Sequence, residues 1–185
     1  DNAKSVEVIL ARDYDQSASL PNYVLGTFNT PGEGRCGFTK KFVNSYLMAD
    51  GTRFTDKPDY DKIEFVNEVS GRDPRLAQTI RTTKGLNFSN CITGYQPHKY
   101  IVEANLGSSA ASYNDLPLFR MAEVYLNYAE AKAELGEITQ GDLDISVNKI
   151  RARAKMPNLN LKVANDSPDP YLSSAETGYT NVTGA

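Results

Sequence analysis

Asp115-Leu116-Pro117-Leu118-Phe119-Arg120-Met121-Ala122-Glu123-Val124-Tyr125-Leu126-Asn127-Tyr128-Ala129-Glu130-Ala131-Lys132-Ala133-Glu134-Leu135-Gly136 is the stretch on which the fold turns. Met121, Tyr125, Tyr128 and Leu135 recur at helical spacing, and Ala122, Leu126, Ala129 and Ala133 form an adjacent row. Together they make one broad apolar stripe, the mark of a helix that packs on one side. Glu123, Asn127, Glu130 and Glu134 fall mostly on the other side. The spacing predicts a single helix from Leu116 to Gly136, with Asp115 as its N-cap. Pro117 is tolerated near the start, because first-turn N–H groups have no intrahelical partner. Gly136 is placed to take the left-handed conformation that ends a helix.

A second helix is predicted from Thr139 to about Lys155. Thr139-Gln140-Gly141-Asp142 resembles a capping box, with Asp where Glu or Gln is usual. Leu143, Val147, Ile150 and Ala154 supply its buried stripe. Lys149, Arg151, Arg153 and Lys155 complement the negative end of the helix dipole, and Pro157 stops the helix. The link from Gly136 to Ile138 leaves room only for an antiparallel turn. The expected unit is a tetratricopeptide-like helical hairpin at about 116–155, burying Tyr125, Leu126, Tyr128, Leu143, Val147 and Ile150. Such a pair cannot cover both its faces alone and expects neighbours. No second copy of the pattern occurs in the chain, so an array formed by it alone is not expected.

Upstream the reading is looser. Val6 to Arg12 reads as a strand, and Asp13 to Gly37 as a long irregular loop of the sort that often carries function. Thr39 to Met48 reads as a helix capped by Thr39, with Phe42, Val43, Tyr46 and Leu47 facing inward. Asp50-Gly51 is a turn, and Asp61 to Ser70 a second short helix. Gln78 to Thr83 and Tyr95 to Val102 alternate as strands do. The chain is read as a single partial domain, 1–185. Within it 1–114 is loop-rich with short helices and strands, 115–157 is the hairpin and 158–185 is mostly loop. The fold class is mainly α, with irregular loops and small β elements.

Composition narrows the function. Net charge is −3, with 20 basic and 23 acidic residues mixed along 185. That argues against nucleic acid, which needs a basic stripe. No apolar run approaches the roughly 20 residues of a bilayer span. Asp1-Asn2-Ala3-Lys4 has no apolar segment behind it, and both ends are abrupt, so the chain reads as an excised segment rather than a mature protein. His98 is the only histidine; it stands beside Lys99 without a nucleophile motif and reads as structural. One His and two distant Cys do not make a zinc site. Gly32-Glu33-Gly34-Arg35-Cys36-Gly37 lacks the Lys-Ser or Lys-Thr of a phosphate loop, and Asp166 to Asp169 lacks calcium-loop spacing. No metal, cofactor or catalytic residue is expected. Cys36 and Cys91 read as two separate, partly buried thiols, with a bridge open in an oxidising compartment. Asn87-Phe88-Ser89 and Asn181-Val182-Thr183 match a sequon too short to carry weight.

What remains is aromatic, polar loop content: 11 tyrosines, 7 phenylalanines and no tryptophan. A tyrosine can stack on the apolar face of a sugar and hydrogen-bond through its hydroxyl, while Asn and Arg read sugar hydroxyls. Tyr14, Asn22, Tyr23, Phe28 and Arg35 are therefore the candidate ligand-binding residues. Tyr60 and Tyr113 lie in or beside other loops. The plainer role for each ring is to pin a long loop to the body.

Several blocks resemble the SusD/RagB family. They are Glu7 to Tyr14, Lys41 to Gly51, Gly71-Arg72-Asp73-Pro74-Arg75-Leu76, Gly94-Tyr95 with Lys99-Tyr100, and Leu116 to Gly136 followed by Thr139 to Asp144 and Asn148 to Ala154. They keep the family's order and cover about Val6 to Pro157. The resemblance implies a lipid-anchored surface protein of Bacteroidetes. It would bind a glycan or oligosaccharide without catalysis and pass it to a SusC-like TonB-dependent transporter, on which it sits as a lid. It also implies a tetratricopeptide-like scaffold, a lipidated cysteine upstream of this segment and further helices downstream. The family's sites often use tryptophan, so tyrosines would serve here. A tetratricopeptide-like protein-interaction module and a carbohydrate-active enzyme fragment are the alternatives.

Overall fold

The computed structural model describes residues 7–24, 36–82, 91–99 and 111–174. In chain order these form β1 (Val8–Arg12), α1 (Lys40–Asn44), α2 (Phe65–Glu68), α3 (Pro74–Thr79), β2 (Leu116–Arg120), α4 (Met121–Glu134), α5 (Gln140–Ile145), α6 (Val147–Arg153) and α7 (Leu161–Asp166). Short 3-10 turns lie at Phe54–Asp56 and Tyr60–Lys62. Helix predominates, beside a sheet of two strands. The chain divides into two compact units, one of residues 1–43, 65–70 and 75–121, the other of 44–64, 71–74 and 122–185.

In the first unit β1 and β2 pair antiparallel, with register shifts between Val8 and Leu10 and between Leu10 and Ala11. The residues 116–120, expected to begin the long helix, are thus a strand, and the helix starts at Met121. Pro117 disfavours helical backbone at Leu116 and donates no hydrogen bond. Opposite Ala11 in a sheet made only of edges, it is tolerated. Asp115 does not cap a helix; its Oδ1 accepts the Tyr14 N–H at 3.0 Å.

Val43, Leu76, Ile80, Cys91 and Tyr95 are buried. The Tyr95 hydroxyl lies 3.0 Å from both carboxylate oxygens of buried Glu68. α1 opens as expected, with Thr39 Oγ1 accepting the Phe42 N–H at 3.2 Å. It stops at Asn44 rather than Met48, and Phe42 is exposed. The strand expected from Gln78 is instead the end of α3, which starts on Pro74, the residue suited to a first helical position. Among the described residues of the two stretches expected as strands, Ile80 and Pro97 form an antiparallel bridge.

In the second unit the Asp50-Gly51 turn forms: Gly51 sits at φ +88° and donates to the Met48 carbonyl at 2.9 Å. Leu47 bridges Arg53 across it, and Met48 bridges Arg72. The Arg72 guanidinium lies 3.9 Å from the Phe54 ring centroid and donates to the Tyr46 carbonyl at 2.7 Å. The helix expected from Asp61 to Ser70 is reduced to a 3-10 turn in this unit and the four-residue α2 in the first.

α4 ends as read. With Gly136 at φ +69°, Gly136 N–H donates to the Ala133 carbonyl and Glu137 N–H to that of Lys132, the paired bonds of a Schellman cap. The capping box at Thr139 and Asp142 is complete. The second helix is not continuous, however. Buried Ser146, at φ −128° and ψ −94°, separates α5 from α6, and its hydroxyl donates to the Asp142 carbonyl. A serine bonding back one turn competes with the helical ladder, and the two helices part at this residue. Leu143 is buried, and Tyr125, Val147 and Ile150 are half-buried. Leu126 and Tyr128, expected in the hairpin core, are 50% and 38% exposed. Tyr128 still ties α4 to α5, donating its hydroxyl to Asp142 Oδ1. The stretch after Pro157, read as loop, contains α7, capped by Asn160 Oδ1 accepting the Val163 N–H at 3.0 Å.

Candidate functional site

The loop that follows β1 is held by the stretch 111–115, which precedes β2. Tyr14 stands just past the strand end, its N–H on Asp115 and its ring 5.4 Å from the Arg12 guanidinium carbon. The chain then reverses between Asp15 and Leu20, which exchange backbone bonds of 3.2 and 2.9 Å. Asp15 Oδ1 accepts the Ser17 N–H at 2.7 Å and its hydroxyl at 2.8 Å, the bonds of an Asx turn. The Ser17 hydroxyl, then its amide, holds the Asp15 carboxyl below the ordinary carboxylate range.

Asn22 returns the chain to the same stretch. It exchanges backbone bonds with Ser112 at 2.7 and 2.8 Å. Its Nδ2 donates to the Asn114 carbonyl at 2.9 Å, and its Oδ1 accepts the Val24 N–H at 3.2 Å. Asn22 is 4% exposed. Read from sequence as a group that meets sugar hydroxyls, it is occupied in holding its own loop. Tyr23, the next residue, is 62% exposed.

The structure thus gathers Tyr14, Asn22 and Tyr23 along the residues flanking Tyr113. It treats them differently: Asn22 anchors the chain, and Tyr23 is exposed. Phe28 and Arg35 lie outside the described residues. The link between 13–24 and 111–115 was not visible in sequence, because it is made by backbone bonds between segments about a hundred positions apart.

A second aromatic group lies in the second unit. Tyr60 and Tyr171 meet edge to face, with centroids 6.0 Å apart and planes at 89°, and Phe54 adjoins Tyr60 at 6.3 Å. Buried Asn44 places Nδ2 3.5 Å from the Tyr171 hydroxyl. Both tyrosines are half-buried. Their separation in sequence leaves no local signal that they meet. Among the described residues no group of three or more His, Cys, Asp or Glu is placed to hold a metal ion. None of the described helices is long and apolar enough to cross a membrane.

Compared with known proteins, the sequence matches the SusD family over residues 7–90 and 82–181. No curated protein matches it. Among solved structures it is similar to a SusD-like carbohydrate binding protein from Bacteroides fragilis NCTC 9343, with a TM-score of 0.61 and 26% identity. The likeness covers 83% of this chain and 35% of that one, so the chain spans about a third of that protein's length.

Proposed function

Because the chain belongs to the SusD family, we propose that it binds oligosaccharide at the cell surface without turning it over. The observation that carries this reading is the likeness in fold to a carbohydrate binding protein, joined to an exposed Tyr23 next to the anchored Asn22. A rigid element presenting a loop is a common arrangement for a binding surface. Tyr23 stacks on the apolar face of a sugar ring. Tyr14 extends the surface, and Asn22 fixes it; Phe28 and Arg35, outside the described residues, remain candidates by residue type. In the whole protein the bound glycan passes to a SusC-like TonB-dependent transporter, and a lipid anchor outside this segment holds the assembly at the outer membrane.

Sugar hydroxyls exchange water for protein partners at small net gain, so affinity rests on a few stacked rings. Dissociation constants in the roughly micromolar-to-millimolar range follow. Replacing Tyr23 by Ala removes about 0.5–1.5 kcal/mol of stacking, a loss of roughly two- to tenfold in affinity. Calorimetric titration of Tyr23→Ala beside the unmodified chain tests this. Weaker binding with an unchanged melting temperature is expected, and identical titrations would remove Tyr23 from the site.

A further inference from the structure

Cys91, distant in sequence, packs its sulfur against Gly37, the residue that follows Cys36. Phe38 donates its N–H to the Tyr95 carbonyl at 3.0 Å, which lays residues 36–38 beside 91–95. Cys91 is 1% exposed. A Cβ built on Gly37 would stand 2.4 Å from Cys91 Sγ and 2.1 Å from Thr93 Oγ1, so position 37 has no room for a side chain. The sulfur therefore rests within about 4 Å of the Gly37 Cα, and Cys36 is the adjacent residue, about 3.8 Å away from Cα to Cα. Cys36 is exposed, both thiols are free, and the sequence has 2 cysteines in all.

We propose that Cys36 and Cys91 form an intramolecular disulfide when the chain meets a small disulfide oxidant. Gly37, without a side chain, is the joint about which Cys36 turns toward the buried sulfur. The exposed Cys36 thiolate attacks one sulfur of the oxidant and releases the other as a thiol. The Cys91 thiolate then displaces the remaining oxidant thiol from Cys36. Two protein thiols lose two protons and two electrons; one S–S bond forms and the oxidant's is reduced. The bond joins residue 36 covalently to the 91–95 segment. It draws on the geometry of the first unit alone, and stands or falls separately from glycan binding.

The test is to equilibrate the chain with oxidised glutathione, block remaining thiols with iodoacetamide under denaturing conditions, and map peptides by mass without reductant. A peptide joining Cys36 to Cys91 is expected. Two carbamidomethylated cysteines, or a disulfide-linked dimer on a non-reducing gel, would overturn the proposal. Cys36→Ser, at an exposed position, supplies an independent reading. The oxidised unmodified chain should melt roughly 5–15 °C above the variant, and the two should coincide in dithiothreitol. Coincident melting under both conditions would count equally against the bond.

Discussion

Asn22 turns its amide inward to Asn114 while its neighbour Tyr23 is largely in solvent. Successive side chains of an extended backbone point to opposite sides, so an anchor and a platform fit in adjacent positions. The two residues should then fail differently when changed. Asn22→Ala removes the bonds to the Val24 N–H and the Asn114 carbonyl in a half-buried place, a cost of about 1 kcal/mol or somewhat more. Thermal melting should show that loss, and glycan affinity should fall with it as the loop loosens. An Asn22→Ala chain with unaltered melting would show that the anchor carries no weight. At this scale the sequence revealed residue types suited to sugars, Tyr14 and Tyr23 among them. It could not reveal that Asn22 is spent internally, because its partners Ser112 and Asn114 belong to a segment about ninety positions away.

Local elements were legible wherever their cause was local. The box at Thr139 and Asp142 and the glycine stop at Gly136 formed as read, since each needs only a few consecutive residues. β2 was misread as helix because what makes it a strand, its pairing with β1, lies at the other end of the chain. The box also has a pH signature. The Thr139 hydroxyl first, then the Tyr128 hydroxyl and the Thr139 amide, lower Asp142 from the ordinary 3.8 to about 2. A carboxylate depressed in the folded state lends stability that is complete above its unfolded pKa and disappears as pH falls through the folded one. The stability of the unmodified chain over Asp142→Asn should thus be full at neutral pH and decline between about pH 4 and pH 2. Circular dichroism melts across that range check it, and a constant difference would contradict the assignment. The helix ends offer a second test. α6 closes with the same bond pair as α4, Lys155 to Ala152 and Met156 to Arg151, yet with a lysine at φ +58°. Left-handed backbone costs a side-chain-bearing residue about 1–2 kcal/mol. Gly136→Ala should destabilise by about that amount and Lys155→Gly should stabilise by about 1 kcal/mol in denaturant titration. Shifts of the same sign for both would refute the shared cap.

Across the whole chain, apolar side chains such as Ile9, Leu118, Phe119, Val124, Leu126 and Leu135 are exposed. The periodicity that predicted a buried stripe on α4 was present, but periodicity states which face is apolar, not what covers it. The match to a carbohydrate binding protein of which it covers only 35% fits a chain whose apolar faces exceed its own core. Family membership was legible because ordered blocks run from Glu7 to Ala154, and the aligned residues 7–90 and 82–181 contain them. Which glycan is taken depends on loop geometry, which residue type alone does not fix. The most direct measurement is a titration of the full chain with a panel of oligosaccharides, followed by chromatography of the recovered sugar. Saturable binding at roughly micromolar-to-millimolar concentration, with the sugar recovered intact, is the predicted result. Binding of none of the panel, or recovery of shortened sugar, would contradict it.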